Sequence, residues 1–192
     1  MVNEMAFKNA TTGHAVLTGQ GVMMKFRRIA PVMAALLLSP VPASSSDTII
    51  GRATVIDGDT IEVSGRRLRL HGVDAPESWQ KCSDGDGGTY RCGKVAATAL
   101  DRFLAGSRPT RCEVLERDRY QRYVTVCFRA DGREVNRWLV ESGNALDWSR
   151  YSHGSYEDAE QAARSSNSGI WRGEFQLPCE VRAERFGHRP LC

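Results

Sequence analysis

The chain has 192 residues, 41% of them hydrophobic, with 26 basic and 23 acidic side chains and six cysteines. That length suits one domain with tails and is enough to bury a proper core. A formal charge of only +3 excludes a strongly polycationic binder, so any recognition of anions must come from local clustering.

The first 43 residues read as separable from the remainder of the chain. From about Met24, Lys25, Arg27 and Arg28 lead into an apolar run from Ile29 to Leu38. Ser39-Pro40-Val41-Pro42-Ala43 then offers small residues at Val41 and Ala43, the pattern of a signal peptide cut after Ala43. The run is too short for a membrane span, which takes about 20 apolar residues, so the mature form is expected to have none. Residues 1–23 read as an upstream extension. Residues 1–43 hold Lys8, Lys25, Arg27 and Arg28 against Glu4, which leaves 22 residues of each sign in the remainder. Cys82, Cys92, Cys112, Cys127, Cys179 and Cys192 all lie beyond the cut. An even count after an export signal reads as a disulfide set, and pairing sequence neighbours (82–92, 112–127, 179–192) is the simplest scheme. Zinc is the weaker alternative, because no C-x₂₋₄-C pair exists.

Thr48 to Ile56, Thr60 to Val63 and Arg66 to Val73 alternate and are rich in β-branched or aliphatic residues. They predict three antiparallel strands joined by turns at Asp57-Gly58 and Ser64-Gly65. A long polar segment comes next, from Asp74 to Gly93, with SDGDGG at its centre. Lys94 to Leu104 has helical spacing, with Val95, Ala99 and Phe103 on one stripe. Thr110 to Leu115 and Tyr123 to Phe128 read as strands four and five, separated by the charged ERDRYQR. Val135 to Ser142 predicts a short helix with Val135, Leu139 and Val140 inward and Gly143 as its stop. Ser155 to Ser166 predicts a third, capped by Ser155 with Asp158 three residues on. Gly169-Ile170-Trp171 ends it with an apolar anchor. From residue 174 to Cys192 no period is visible, and the segment reads as a tail held by a disulfide. Five strands with a helix after the third is the element order of an oligonucleotide-binding (OB) barrel. The fold class is therefore α+β, a five-stranded OB-fold β-barrel with three α-helices, occupying residues 44–173.

The second carboxylate of VIDGDTIEV is surplus to a turn. Strands one and three can be barrel neighbours, which would bring Asp59 to Asp74 at the open end of strand three, with Glu77 close by. Carboxylates that meet repel unless a cation lies between them, and oxygen ligands without His or Cys suit Ca²⁺ or Mg²⁺. Arg69 lies five residues before Asp74 and belongs to the opposite face of a regular strand, unless a bulge near Gly72 brings it round. Arg122 opens strand five. Arginines near carboxylates and a metal suggest phosphate clamps. Trp138, Trp148 and Trp171 read as packing or surface anchors, and the SDGDGG loop as acidic and flexible.

VIDGDTIEV, RLRLHGVDAPE, ERDRYQR, FRADGREVNRWLVESGNA and AEQAARSSNSGIW stand in the order of the staphylococcal-nuclease-like family, which the chain resembles from about Thr48 to Trp171. The resemblance implies Ca²⁺-dependent hydrolysis of phosphodiester bonds in DNA and RNA to 3′-phosphate ends. It implies Asp59, Asp74 and the main-chain carbonyl of Ala75 as metal ligands, Asp57 as an acid behind them, and Arg69, Glu77 and Arg122 as catalytic residues. Arg119, Tyr120 and Tyr151 match nucleotide-binding positions. Gln121 departs from a position where the family commonly has Gly, which bears on how Arg122 is aimed. The expected protein is a secreted or periplasmic monomer acting on nucleic acid. The competing expectation is a non-catalytic OB-type nucleic-acid binder of the cell envelope.

Overall fold

The computed structural model describes residues 47–192. The expectations for the leader, residues 1–43, lie outside the described residues. Strands β1 (Thr48–Gly51) and β2 (Ala53–Val55) follow one another across Arg52 and act as one bent strand. With β3 (Thr60–Val63), β4 (Arg66–Leu70), β8 (Thr110–Arg117) and β9 (Tyr123–Phe128) they form a sheet ordered β1-β8-β9-β4-β3-β2. Because β1 pairs with β8 while β2 pairs with β3, the bent strand closes the sheet into a barrel of five strands. The β4–β9 pair is parallel and the other barrel pairs are antiparallel. This is the expected OB arrangement.

The period-2 pattern sets what is inside. Ile49, Ile61, Val63, Leu68 and Leu70 are buried, whereas Ile50 is exposed on the opposite face. Helix α1 (Cys92–Ala105) adds Leu100, Phe103 and Leu104 to this core, and α2 (Val135–Glu141) adds Val135, Leu139 and Val140 as expected. The stripe on α1 differs from the one read in the sequence. Ala96, Leu100, Phe103 and Leu104 face inward, while Val95 is 46% exposed. The start of α1 packs on the DGD loop: a Cβ built on Gly58 would stand in van der Waals contact, 3.5 Å, with the Ala96 methyl. Ser64 and Gly65 both take positive φ in the β3–β4 turn, as a two-residue hairpin requires.

Short pairs decorate the barrel: β5 (Val73–Asp74) with β10 (Leu146–Asp147), and β6 (Cys82–Ser83) with β7 (Thr89–Tyr90). A single turn, α3 (Ser149–Ser152), precedes α4 (Glu157–Ser165), whose inward residues are Ala159 and Ala163. Ser155 does not cap α4; its hydroxyl donates to the Ser152 carbonyl instead, at 2.6 Å. The cysteines pair 82–92, 112–127 and 179–192. Cys112 and Cys127 are direct cross-strand partners of β8 and β9.

The tail is not irregular. Residues Pro178–Phe186 form helix α5. Pro178 stands in its first turn, the Glu180 carboxylate accepts from the Leu177 N–H at 3.4 Å, and Gly187 closes it at φ 65°.

Candidate active site

The site is assembled where β3, β4 and β5 meet the start of α1. Strands one and three are not neighbours, contrary to the expectation from sequence, because β3 lies between β2 and β4. Asp59 reaches the third strand by another route. It immediately precedes β3, and its carbonyl accepts from Leu70 N at 2.9 Å. Asp57 stays in the loop, its Oδ1 accepting from Asp59 N at 3.1 Å. Gly58 makes the approach possible. A Cβ there would lie 2.6 Å from the Ala75 Cβ, so any side chain would push the DGD loop away from the segment carrying Asp74. The amide of Ala75 donates to Asp59 Oδ2 at 3.2 Å and fixes that carboxylate.

The third strand breaks at His71-Gly72, where Gly72 takes φ 69° and the chain resumes as β5. This break removes the parity conflict between Arg69 and Asp74. The Arg69 guanidinium pairs with Asp59 and lies 3.7 Å from Asp74 Oδ1, while also donating to the Val73 carbonyl at 3.2 Å. Asp59 and Asp74 are 4% and 3% exposed, so two nearly dry carboxylates bracket a guanidinium whose side chain keeps 14% exposure. Burial lowers the pKa of Arg69 to about 10, against the pull of Asp74, with Arg122 and Arg182 also lowering it. Arg122 is therefore within electrostatic reach, but its own partner is Asp118, bonded through Nε at 2.7 Å. Burial works against the Asp118 charge and the bonds from Arg122 outweigh it, so Asp118 lies below the ordinary carboxylate value.

Glu77 follows Pro76 and is held by its backbone: its N–H donates to Gln80 Oε1 at 3.1 Å and its carbonyl accepts from Gln80 N at 2.8 Å. Burial raises its carboxyl pKa, and a hydrogen bond from Arg182 pulls part of that back.

Arg182 is the residue that sequence reading missed. From α5 its Nη1 donates to Asp74 Oδ1 at 2.7 Å and to Glu77 Oε1 at 2.8 Å, and its Nη2 to Asp74 Oδ2 at 3.1 Å. Burial opposes its charge, yet these bonds raise its pKa above the ordinary arginine value. The start and stop signals of α5 could have revealed the helix, but nothing local marks Arg182 as the residue that reaches Asp74. Trp148 also stands nearer the site than a packing role implies. Its ring centroid lies 5.5 Å from the Arg69 guanidinium carbon and 5.3 Å from that of Arg182. Trp138 stacks on Phe103 and Trp171 packs edge-on against Phe175, as expected of anchors.

The nucleotide-contact candidates lie around this centre. Tyr120 is 65% exposed, with the guanidinium carbons of Arg119 and Arg122 at 4.9 and 5.6 Å from its ring. Tyr151 packs edge-on against Trp148 at 4.6 Å. In the SDGDGG loop Asp84 Oδ1 accepts from the N–H groups of Asp86 and Gly88 at 3.0 and 2.8 Å and holds the turn.

Whether the residues suit a divalent ion can be judged from the donors. Among the described residues no three His, Cys, Asp or Glu side chains form a ligand cluster. A seat here would rest on two carboxylates and the adjoining Ala75 peptide. Those carboxylates are buried and already gather positive charge, and every donor is a hard oxygen, so the set fits Ca²⁺ or Mg²⁺ and not zinc.

Comparison with known proteins covers most of the same barrel. The family model described as "Staphylococcal nuclease homologue" matches residues 67–173. The chain is 54% identical over 166 residues, 86% of each chain, to "Succinoglycan biosynthesis protein ExoI" of Rhizobium meliloti. It is 30% identical over 129 residues to an "Uncharacterized endonuclease" of Escherichia coli O157:H7, covering 65% of this chain and 77% of that one. It is 28% identical over 130 residues to "Probable staphylococcal-like nuclease CAN1" of Oryza sativa, covering 67% of this chain and 36% of that one. With the barrel, the acid–arginine cluster and the family match in agreement, this chain belongs to the staphylococcal nuclease homologue family.

Proposed function

We propose that this protein is an exported, Ca²⁺-dependent nuclease that hydrolyses phosphodiester bonds of DNA and RNA and leaves 3′-phosphate ends. The observation that carries the reading is the convergence of Asp59, Asp74 and Glu77 with the Arg69 guanidinium in one largely buried cluster. Asp59, Asp74 and the Ala75 carbonyl would hold the ion, with Asp57 behind them. Bound there, the ion supplies positive charge for the phosphoryl oxygens and favours deprotonation of water. The chain's own residues do the rest. Hydrolysis concentrates negative charge around phosphorus in the transition state, and planar guanidinium forks at Arg69 and Arg122 stabilise it more than they stabilise the ground state. Glu77 accepts or steers the proton of the attacking water at its carboxylate. Arg119, Tyr120 and Tyr151 give the flanking nucleotides a charged and aromatic surface. Three disulfides support an oxidising compartment, secreted or periplasmic, and among the described residues no helix is long and apolar enough to cross a membrane. We read the protein as a monomer.

The name of the Rhizobium relative favours a second reading, in which the same fold serves polysaccharide production. One experiment separates the readings. The purified protein is incubated with single-stranded DNA and with RNA, with Ca²⁺ and with a chelator. The proposal expects cleavage that the chelator abolishes. Binding without cleavage would make the protein a non-catalytic nucleic-acid binder, and neither binding nor cleavage would favour the polysaccharide reading.

A further inference from the structure

Resting on the reading of Asp59 and Asp74 as a cation seat, we propose that Arg182 is a resident competitor of the divalent ion for Asp74, so that loading the ion and releasing the C-terminal arm are one coupled event. Both oxygens of Asp74 are taken by the Arg182 fork, at 2.7 and 3.1 Å. This two-pronged geometry is the strongest that a carboxylate makes with a side chain. Arg69 lies 3.7 Å from the same Oδ1, so Asp74 stands between two guanidinium groups. An arriving divalent ion faces both positive charges, and one of them has to move.

Arg69 is the worse candidate to move. It belongs to a barrel strand, is paired with Asp59, and is bonded to the Val73 carbonyl. Arg182 is carried by a helix beyond the last residue of the family match, and its side chain keeps 22% exposure. The arm is attached by contacts on either side of the site. The Gln176 carbonyl accepts from Gln80 Nε2 at 2.8 Å, and the Leu191 carbonyl accepts from Trp148 Nε1 at 3.2 Å. Phe186 meets Trp79 edge-on at 6.3 Å, and the Cys179–Cys192 disulfide ties the end of the chain back to the helix. These attachments keep Arg182 at high local concentration over Asp74 while leaving it at the accessible side of the pair. Its second bond, to Glu77, means that the same release frees the carboxylate assigned to the attacking water. Arg182 is a positioning residue in this scheme, acting through Asp74 and Glu77.

Removing one unit charge about 5 Å from a divalent ion is worth at least about tenfold in affinity even at the dielectric of water, and more in a site as dry as this one. The test is calorimetric titration of Ca²⁺ into the metal-stripped wild type and the Arg182→Gln and Arg182→Lys variants at one ionic strength, with melting curves to verify folding. The inference expects Arg182→Gln to bind Ca²⁺ at least about tenfold more tightly and Arg182→Lys, which keeps the charge, to stay within about threefold of wild type. A double variant, Cys179→Ser with Cys192→Ser, keeps Arg182 but loosens its tether and is expected to shift affinity in the same direction, which guards against a folding defect specific to position 182. Equal affinity throughout would overturn the inference and leave the cation seat standing. Weaker binding by Arg182→Gln would overturn it in favour of a purely supporting role. No Ca²⁺ binding by any form would remove the cation seat and the inference together.

Discussion

Replacing Gly93 by Ala tests whether the start of α1 sets the position of Glu77. An ideal Cβ on Gly93 would lie 1.8 Å from the Glu77 carbonyl oxygen, 2.4 Å from its carbonyl carbon and 2.8 Å from the Pro76 oxygen. Cβ atoms do not approach other heavy atoms within 3.0 Å, so the Glu77 backbone must retreat by about 1.2 Å. The obstacle is main chain, which cannot rotate away, and it carries the bonds that tie Glu77 to Gln80. Two energy terms oppose one another. Ala favours a helix over Gly by about 1 kcal/mol, whereas overpacking costs about 1–3 kcal/mol. The net loss at the upper end of these ranges is about 2 kcal/mol, a drop in Tm of several degrees for a chain of this size. A reacting group misplaced by about 1 Å loses about 100-fold in rate. Gly93→Ala should thus remain folded and lose about two orders of magnitude in the initial rate of single-stranded DNA cleavage, with a circular-dichroism melt run on the same sample. A folded variant that cleaves within about threefold of wild type would refute the link between α1 and Glu77.

The same geometry yields three further outcomes. Arg69→Lys and Arg122→Lys each keep the charge but lose the planar fork, and each should cut the cleavage rate by about 100-fold or more with the melting profile retained; near-wild-type rates would remove the clamp assignment. Asn136 is fully buried, donates to the His71 and Thr125 carbonyls at 2.9 and 3.1 Å, and accepts from Cys127 N at 3.1 Å. Asn136→Leu leaves buried backbone groups unsatisfied and should cost about 3 kcal/mol in denaturant unfolding; a loss under about 1 kcal/mol would contradict this account of the β9–α2 junction. Removing the Cys112–Cys127 link, which spans 15 residues of sequence, by the double Ala variant should cost about 3 kcal/mol, read in the same assay.

The barrel was legible because its rules are local. Alternation marked β3 and β4, Ser64-Gly65 marked their hairpin, and aliphatic spacing marked α2. The stripe on α1 was misread because Val95 and Ala96 are adjacent, and the choice between them depends on how closely the DGD loop packs, which periodicity does not encode. The route by which Asp59 meets the third strand was also misjudged, since strand order is a property of the whole sheet. At Gln121 the chain does take φ 64°, as the family's preference for Gly there suggests, and the DRYQ turn accommodates it through Asp118, which accepts from the N–H groups of Tyr120 and Arg122 at 2.9 Å each. Arg182 lay beyond local reading altogether. It is 108 residues from Asp74, and only the folded chain reveals the pair.

The central claim is that one cluster of acids and guanidinium groups performs phosphodiester hydrolysis. Its most direct test compares wild type and Glu77→Gln on end-labelled single-stranded DNA with Ca²⁺, measuring single-turnover rates and identifying the product ends. The account predicts 3′-phosphate and 5′-hydroxyl ends from the wild type, with the variant about 100- to 10,000-fold slower at saturating Ca²⁺. Equal rates, or 5′-phosphate ends, would contradict it.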